Sequence, residues 1–145
     1  MRSMPVARSF LDTNVLVYTD DQDSPNKQAK ALELVESMRL SGTGVVSTQV
    51  LQEYFVASTR KLGVPAEIAR RKAELFARLD VVILDLSHII GAIDLHRLHG
   101  LSFWDALVLR AAADAGCTVL YSEDLNPGQR IDGVEVVNPF QASRE

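Results

Sequence analysis

Short apolar runs alternate along this chain with longer segments whose apolar residues recur at helical spacing, and that alternation constrains the fold most. The runs end at Leu11 (about residues 6–11) and recur at 45–47, at VVILDL (81–86), at TVLYS (118–122) and at VEVV (134–137). Between them the spacing predicts helices. A short turn runs through Tyr18. A second helix covers about 25–40, opened by Pro25 and striped by Ala29, Leu32, Val35 and Met38. Others cover 48–62 (Leu51, Tyr54, Phe55, Ala57), 65–79 (Ile68, Ala69, Leu75, Phe76), 87–98 and 102–115, with Gly63, Gly100 and Gly116 as stops. Strands separated by helices imply a mainly parallel sheet covered on both faces, an α/β fold of three layers, α/β/α. No linker, internal repeat or low-complexity tract divides the 145 residues, so one domain over 1–145 is expected.

Composition narrows the function. A chain with 47% hydrophobic and 23% charged residues has the balance of a globular protein. No run approaches the roughly 18 to 20 apolar residues that span a bilayer, and the N-terminus lacks a signal core. The lone cysteine, Cys117, forbids an internal disulfide. A cytoplasmic protein without a membrane partner is expected. The net charge of −4 argues against a protein that coats nucleic acid with a basic surface. It leaves room for a nuclease whose acids gather around cations, because a bound cation reverses the local field.

Where the acids fall is therefore informative. In RSFLDTNVLVY (8–18), Asp12 is wedged between two apolar segments, and burying a charge is costly unless it is paired or bound to a metal. Ligands of open α/β sheets collect beyond the carboxyl ends of the strands. Asp12 follows the first strand, Glu53 lies early in the helix after 45–47, Asp105 lies in the first turn after Ser102, and Ser122-Glu123-Asp124 follows TVLY. Each acid also admits a plain structural role. Asp12 or Thr13 can cap a helix. Ser102 and Asp105 have the spacing of a capping box. Glu53 can be solvated, and Asp124 can shape a turn before Pro127 and Gly128.

Together they are harder to dismiss. Asp105 shares a stripe with Val108, Leu109 and Ala112, and Glu53 is bracketed by Leu51, Tyr54 and Phe55, so both are expected on buried faces. Anions gathered there raise one another's pKa values. A hard divalent cation, Mg²⁺ or Mn²⁺, relieves the conflict through oxygen ligands. Such an ion can also activate water and screen charge building on a phosphate. Asp12, Asp105 and Asp124 are expected to ligate directly, with Glu53 holding a second ion or positioning the attacking water.

FLDTN (10–14), QEYF around Glu53, SFWDALVL (102–109) and YSEDLNPG (121–128) occur in the order and spacing of the PIN-domain family. The chain most resembles its VapC-type toxins, the ribonucleases of type II toxin–antitoxin pairs, over essentially its whole length. The resemblance implies a compact α/β/α sandwich that uses Mg²⁺ or Mn²⁺ to cleave single-stranded RNA, leaving a 5′-phosphate and a 3′-hydroxyl. It marks Asp12, Glu53, Asp105 and Asp124 as catalytic and metal-binding, with Asn14 and Ser122 in support. Where the family often has Thr-x-Asp, this chain has Ser122-Glu123-Asp124, and Asp124 is the preferred ligand. A small cognate antitoxin and a homodimer are also implied.

Other residues carry less. Arg60 and Lys61, then Arg70, Arg71 and Lys72, either track an RNA backbone or face solvent; by resemblance their helices correspond to the region that grips the antitoxin and forms the dimer. His96 and His99 are spaced like metal ligands but lack a third, so they are read as surface residues. His88 is read as structural, Cys117 as a core residue, and Gly42-Thr43-Gly44 as a turn. The rival readings are an inactive PIN-fold nucleic-acid-binding module and, from other classes, an aspartyl phosphatase or a phosphoacceptor receiver. The phosphatase pattern needs a second Asp where Asn14 stands, and a receiver needs an acidic pair after strand one.

Overall fold

Strand β1 (Arg8–Leu11) lies in the interior of the sheet, and its Phe10 and Leu11 are completely buried. A computed structural model describes residues 7–141, so position 6 of the expected first strand lies outside the described residues. After β1 come α1 (Thr13–Tyr18), α2 (Pro25–Ser41), β2 (Gly44–Ser47), α3 (Thr48–Lys61), α4 (Ala66–Phe76) and β3 (Asp80–Val82). Then follow α5 (Leu86–His99), α6 (Phe103–Asp114), β4 (Cys117–Tyr121), β5 (Arg130–Ile131) and β6 (Val134–Val137). The strand order is β3-β2-β1-β4-β6-β5, with parallel pairing throughout except between β5 and β6.

The helices form two groups. Helix α1 packs on α2 and α3, and α3 packs on α4; α5 packs on α6, which lies against β2, β4 and β6. This is the mixed α/β architecture expected, helices around a mainly parallel sheet. Where α5 packs on α6 the Arg110 side chain lies over Gly91, and a Cβ there would fall 2.5 Å from its Nε, so a larger residue would displace the guanidinium. The core is aliphatic around Tyr54, whose hydroxyl donates to Oδ2 of Asp20 at 2.6 Å. Lys72 Nζ closes that network, donating to Asp20 Oδ1 at 2.5 Å and to Thr19 Oγ1 at 2.8 Å. Lys72 is thus turned inward and is not a free cation on the surface.

The expected strand VVILDL shrinks to Asp80–Val82. Asp85 starts α5 instead: its carboxylate accepts from the backbone N–H of Ser87 and His88, and His88 Nδ1 accepts from the backbone N–H of Asp85. That reciprocal cap takes the chain out of the sheet. Ile83 and Leu86, read as strand interior, are 69% and 71% exposed. β3 is an edge strand, so ending it early leaves no inner strand without a partner. His88 is structural, as expected. Cys117 opens β4 in the core, where burial pushes its thiol up to about 11.

Candidate active site

Neighbouring parallel strands β1 and β4 end side by side, and the sheet's connections run in opposite directions from this point. A crevice is expected there. The residues just beyond the two strands meet across it. Asp12 caps α1 by accepting from the backbone N–H of Thr13 at 2.7 Å, so its helix-capping role is real. Its other oxygen accepts from the hydroxyl of Ser122 at 2.8 Å. Ser122 is wholly buried and also accepts from the backbone N–H of Asp124 at 3.2 Å. Asn14 joins the pieces: its amide donates to Asp124 Oδ2 at 3.1 Å, and its carbonyl oxygen accepts from the backbone N–H of Glu123 at 3.1 Å.

Two helix starts supply the rest. Ser47 caps α3, and Ser102 caps α6 by accepting from the backbone N–H of Asp105 at 3.1 Å. The cap spacing at Ser102 is therefore genuine, while the Asp105 carboxylate stays available to the cleft. Gln49 ties the helices together, donating through Nε2 to the carbonyl of Trp104 at 3.2 Å. The resulting cleft holds about 810 Å³ and is lined by Asp12, Glu53, Asp105 and Asp124, with Arg60 and Lys61 also on its wall.

Burial differs from expectation. Asp12 is 8% exposed, but Asp105 is only half-buried and Glu53 is exposed, because their helices turn these positions toward the cleft mouth. Burial pushes the Asp12 carboxyl up to about 6; the Ser122 and Thr13 hydrogen bonds oppose the rise, and the charges of Glu53 and Asp124 add to it. Partial desolvation also raises Glu53, with Asp105 and Asp124 contributing like-charge repulsion. Among the described residues, none of the four carboxylates has an ion-pair partner, although many other acids of the chain do. An all-oxygen, uncompensated donor set suits a hard divalent ion. Buried Oγ1 of Thr13 and Oε1 of Gln49, on the same wall, also lack a hydrogen-bond partner. Among the described residues no three acidic, His or Cys side chains close on a single point, so the four share a cleft and do not form a finished cage.

Glu123 also lines the cleft, but unlike the other four it has a cationic partner. Its carboxylate accepts from Lys27 Nζ and from the hydroxyl of Tyr18, both at 2.6 Å. Burial alone would raise it, but these two donors outweigh burial and hold it below the usual range. With the Glu123 carboxylate tied to Lys27 and Tyr18 and its N–H held by Asn14, the next residue, Asp124, carries the carboxylate that Asn14 contacts. Lys27→Ala is expected to leave urea stability near wild type, because the pair is partly exposed and screened. Any catalysis at the cleft is expected to fall about tenfold, a fraction of the roughly hundredfold that a 1 Å misplacement can cost. Parallel denaturation and turnover measurements check both.

Sequence reading missed Gln49, Lys27 and Tyr18. Gln49 carries a faint signal, four residues before Glu53 on the same helix face; the Lys27–Glu123 contact carries none. Of the basic residues weighed, Arg60 and Lys61 reach the cleft, whereas Arg70 pairs with Glu74. His96 contacts the carbonyl of Leu101 through Nδ1, a surface role as expected.

An open, mainly parallel α/β sheet with unpaired carboxylates at the place where its connections diverge is a recognisable class of protein. The model for the PIN domain matches residues 9–132, and the chain belongs to the PIN-domain family. PIN-domain nucleases generally use divalent metal ions. Three solved structures are similar in fold. A toxin–antitoxin complex from Klebsiella pneumoniae has TM-score 0.66 at 17% identity, covering 92% of this chain and 99% of that one. The sarcin–ricin-loop-cleaving toxin VapC20 of Mycobacterium tuberculosis has TM-score 0.64 at 18% identity, covering 80% and 89%. VapBC2 from Rickettsia felis, bound to a DNA fragment from its promoter, has TM-score 0.64 at 18% identity, covering 88% and 96%. No curated protein sequence matches.

Proposed function

We propose that this chain is a VapC-type toxin: an endoribonuclease that hydrolyses phosphodiester bonds of single-stranded RNA with Mg²⁺ or Mn²⁺. The observation that carries the reading is that Asp12, Glu53, Asp105 and Asp124, from four separate segments and without cationic partners, line one cleft of a PIN-family chain, with Asp21 also on its wall. Asp12, Asp105 and Asp124 are the residues that would hold the ion, with Glu53 at the cleft mouth. A divalent ion there supplies Lewis acidity toward phosphate and lowers the pKa of a bound water.

The protein's own groups do the positioning. The Ser122 hydroxyl and the Thr13 N–H fix the two oxygens of Asp12, and Asn14 fixes Asp124. Glu53, accessible and raised in pKa, is placed to orient a water and take its proton. Arg60 and Lys61 offset the acids and give phosphates a cationic approach. Asn14, which binds Asp124 and the Glu123 N–H, stands where the phosphatase pattern needs a second Asp, and no acidic pair follows β1 as a receiver needs; both disfavour those alternatives.

Partners follow from the same reading. The similar folds of toxin–antitoxin complexes support a small cognate antitoxin. Exposed Leu86, Ile90 and Ile93 repeat along α5 and support burial against a second copy in a homodimer. Among the described residues no helix is long and apolar enough to cross a membrane; it is the ribonuclease reading, whose RNA substrate is cytoplasmic, that assigns the protein, as a single unit over 1–145, to the cytoplasm. The test is digestion of unstructured RNA by wild type and Asp105→Asn, with Mg²⁺ and with chelator. Cleavage is expected only with wild type and metal, reduced roughly a hundredfold or more in the variant. Metal-independent or variant-insensitive cleavage overturns the reading, and binding without any cleavage identifies an inactive module.

A further inference from the structure

The largest aromatic side chain in the cleft has no structural task. Trp104 is 63% exposed, although it stands beside Asp105 and lines the same cleft as the carboxylates. An indole left in water forfeits the gain that burial gives such a large apolar surface. The Gln49 amide pins its carbonyl, and Phe103 meets its ring edge-on, with centroids 5.1 Å apart and planes at 80°. Gln49 is itself 5% exposed, lines the cleft, and keeps an unpartnered Oε1. Arg60 and Lys61 supply positive charge on the same cleft, from the end of α3.

A fixed aromatic face, cations for phosphates and a polar acceptor without a donor are what an unstacked nucleotide requires. We infer that Trp104 is a stacking platform for a nucleobase next to the bond presented to the carboxylates. Binding there selects single-stranded RNA, because a base within a duplex already has both faces covered. The inference rests on the ribonuclease reading and adds to it the residue that enforces single-strandedness. Exposed apolar Val56 lines the same cleft and extends the surface beyond the ring.

Trp104 is the only tryptophan of the chain, so its emission reports on this position alone. A single-stranded RNA hexamer is titrated into the full-length protein with Ca²⁺, which screens the carboxylates with looser geometry than Mg²⁺. A duplex of the same sequence is titrated in parallel. Saturable quenching by the single strand, and little by the duplex, is expected. With Mg²⁺, Trp104→Ala is expected to lose about tenfold in kcat/KM, chiefly through KM, the scale of one base–aromatic stack. Trp104→Phe should recover part of that loss, and because the ring lies outside the core both variants should fold.

Absence of quenching, equal quenching by duplex, or an unchanged KM in Trp104→Ala overturns the proposal; Trp104 then faces solvent or a protein partner. If RNA is cleaved without quenching, stacking fails while the ribonuclease reading stands. If quenching occurs and no RNA is cleaved, the hydrolase reading fails and the stacking platform stands.

Discussion

Asp12→Asn is expected to abolish cleavage and at the same time to stabilise the metal-free protein above neutral pH. Loss of activity should be roughly a hundredfold or more, the scale for removing one preorganised electrostatic group. The gain in stability follows from the folded-state pKa of Asp12, raised from 3.8 to about 6 by burial first. Between those values the folded protein binds more protons than the unfolded chain. Asp12 therefore favours the fold most at low pH, and its contribution declines as pH rises from about 4 to about 6. Above that window the buried charge costs about 3 kcal/mol at 1.4 kcal/mol per pKa unit.

Asparagine removes the charge and can still cap α1 through its carbonyl oxygen. Its amide must then face the Ser122 hydroxyl, which donates to Asp12 in the wild type and would have to rotate to accept. That exchange offsets about 1 kcal/mol, leaving a net gain of about 1 to 2 kcal/mol. Urea denaturation in chelator at pH 5 and pH 8 measures it. A variant less stable than wild type at pH 8 would show that Asp12 is held mainly by its hydrogen bonds.

The second large effect concerns metal affinity. Binding a cation at the cleft requires the Asp12 carboxylate in its charged form, so below about pH 6 the ion must displace a proton. Mn²⁺ affinity is expected to fall about tenfold per pH unit below that point and to level off above it. Calorimetric titration between pH 5 and 8 measures this, with proton release seen as a dependence of the heat on buffer. At a concentration about 100 times Kd the ion should also stabilise the fold by about 2.7 kcal/mol. Chelation should reverse that gain. Affinity that is flat from pH 5 to 7 would remove Asp12 from the ligand set.

Sequence periodicity located the helices and the buried inner strands well because those signals are local. It failed where a local signal pointed two ways. VVILDL reads as a buried strand until Asp85, Ser87 and His88 are seen as a helix cap. VEVV is the observed β6, but its antiparallel partner β5 is too short to give a periodic signal; the pair is joined through Asp132 and Gly133, both at positive φ, the signature of a tight two-residue turn. Within the site, Asp12 was legible because a lone carboxylate between apolar segments is a physical contradiction. Glu53 and Asp105 were placed too deep, since apolar neighbours in sequence do not show which way a helix is rotated. The clamp on the Glu123 carboxylate depends on Lys27 and Tyr18, which only folding brings near.

The cleft draws on both halves of the chain, since β1 opens it and the segment after β4 closes it. During synthesis Asp12 emerges from the ribosome well before Asp124 has been added, and β1 waits for β4 on that side of the sheet. A nascent polypeptide that lacks the segment after β4 therefore lacks part of the cleft wall, and the four carboxylates cannot yet face one another.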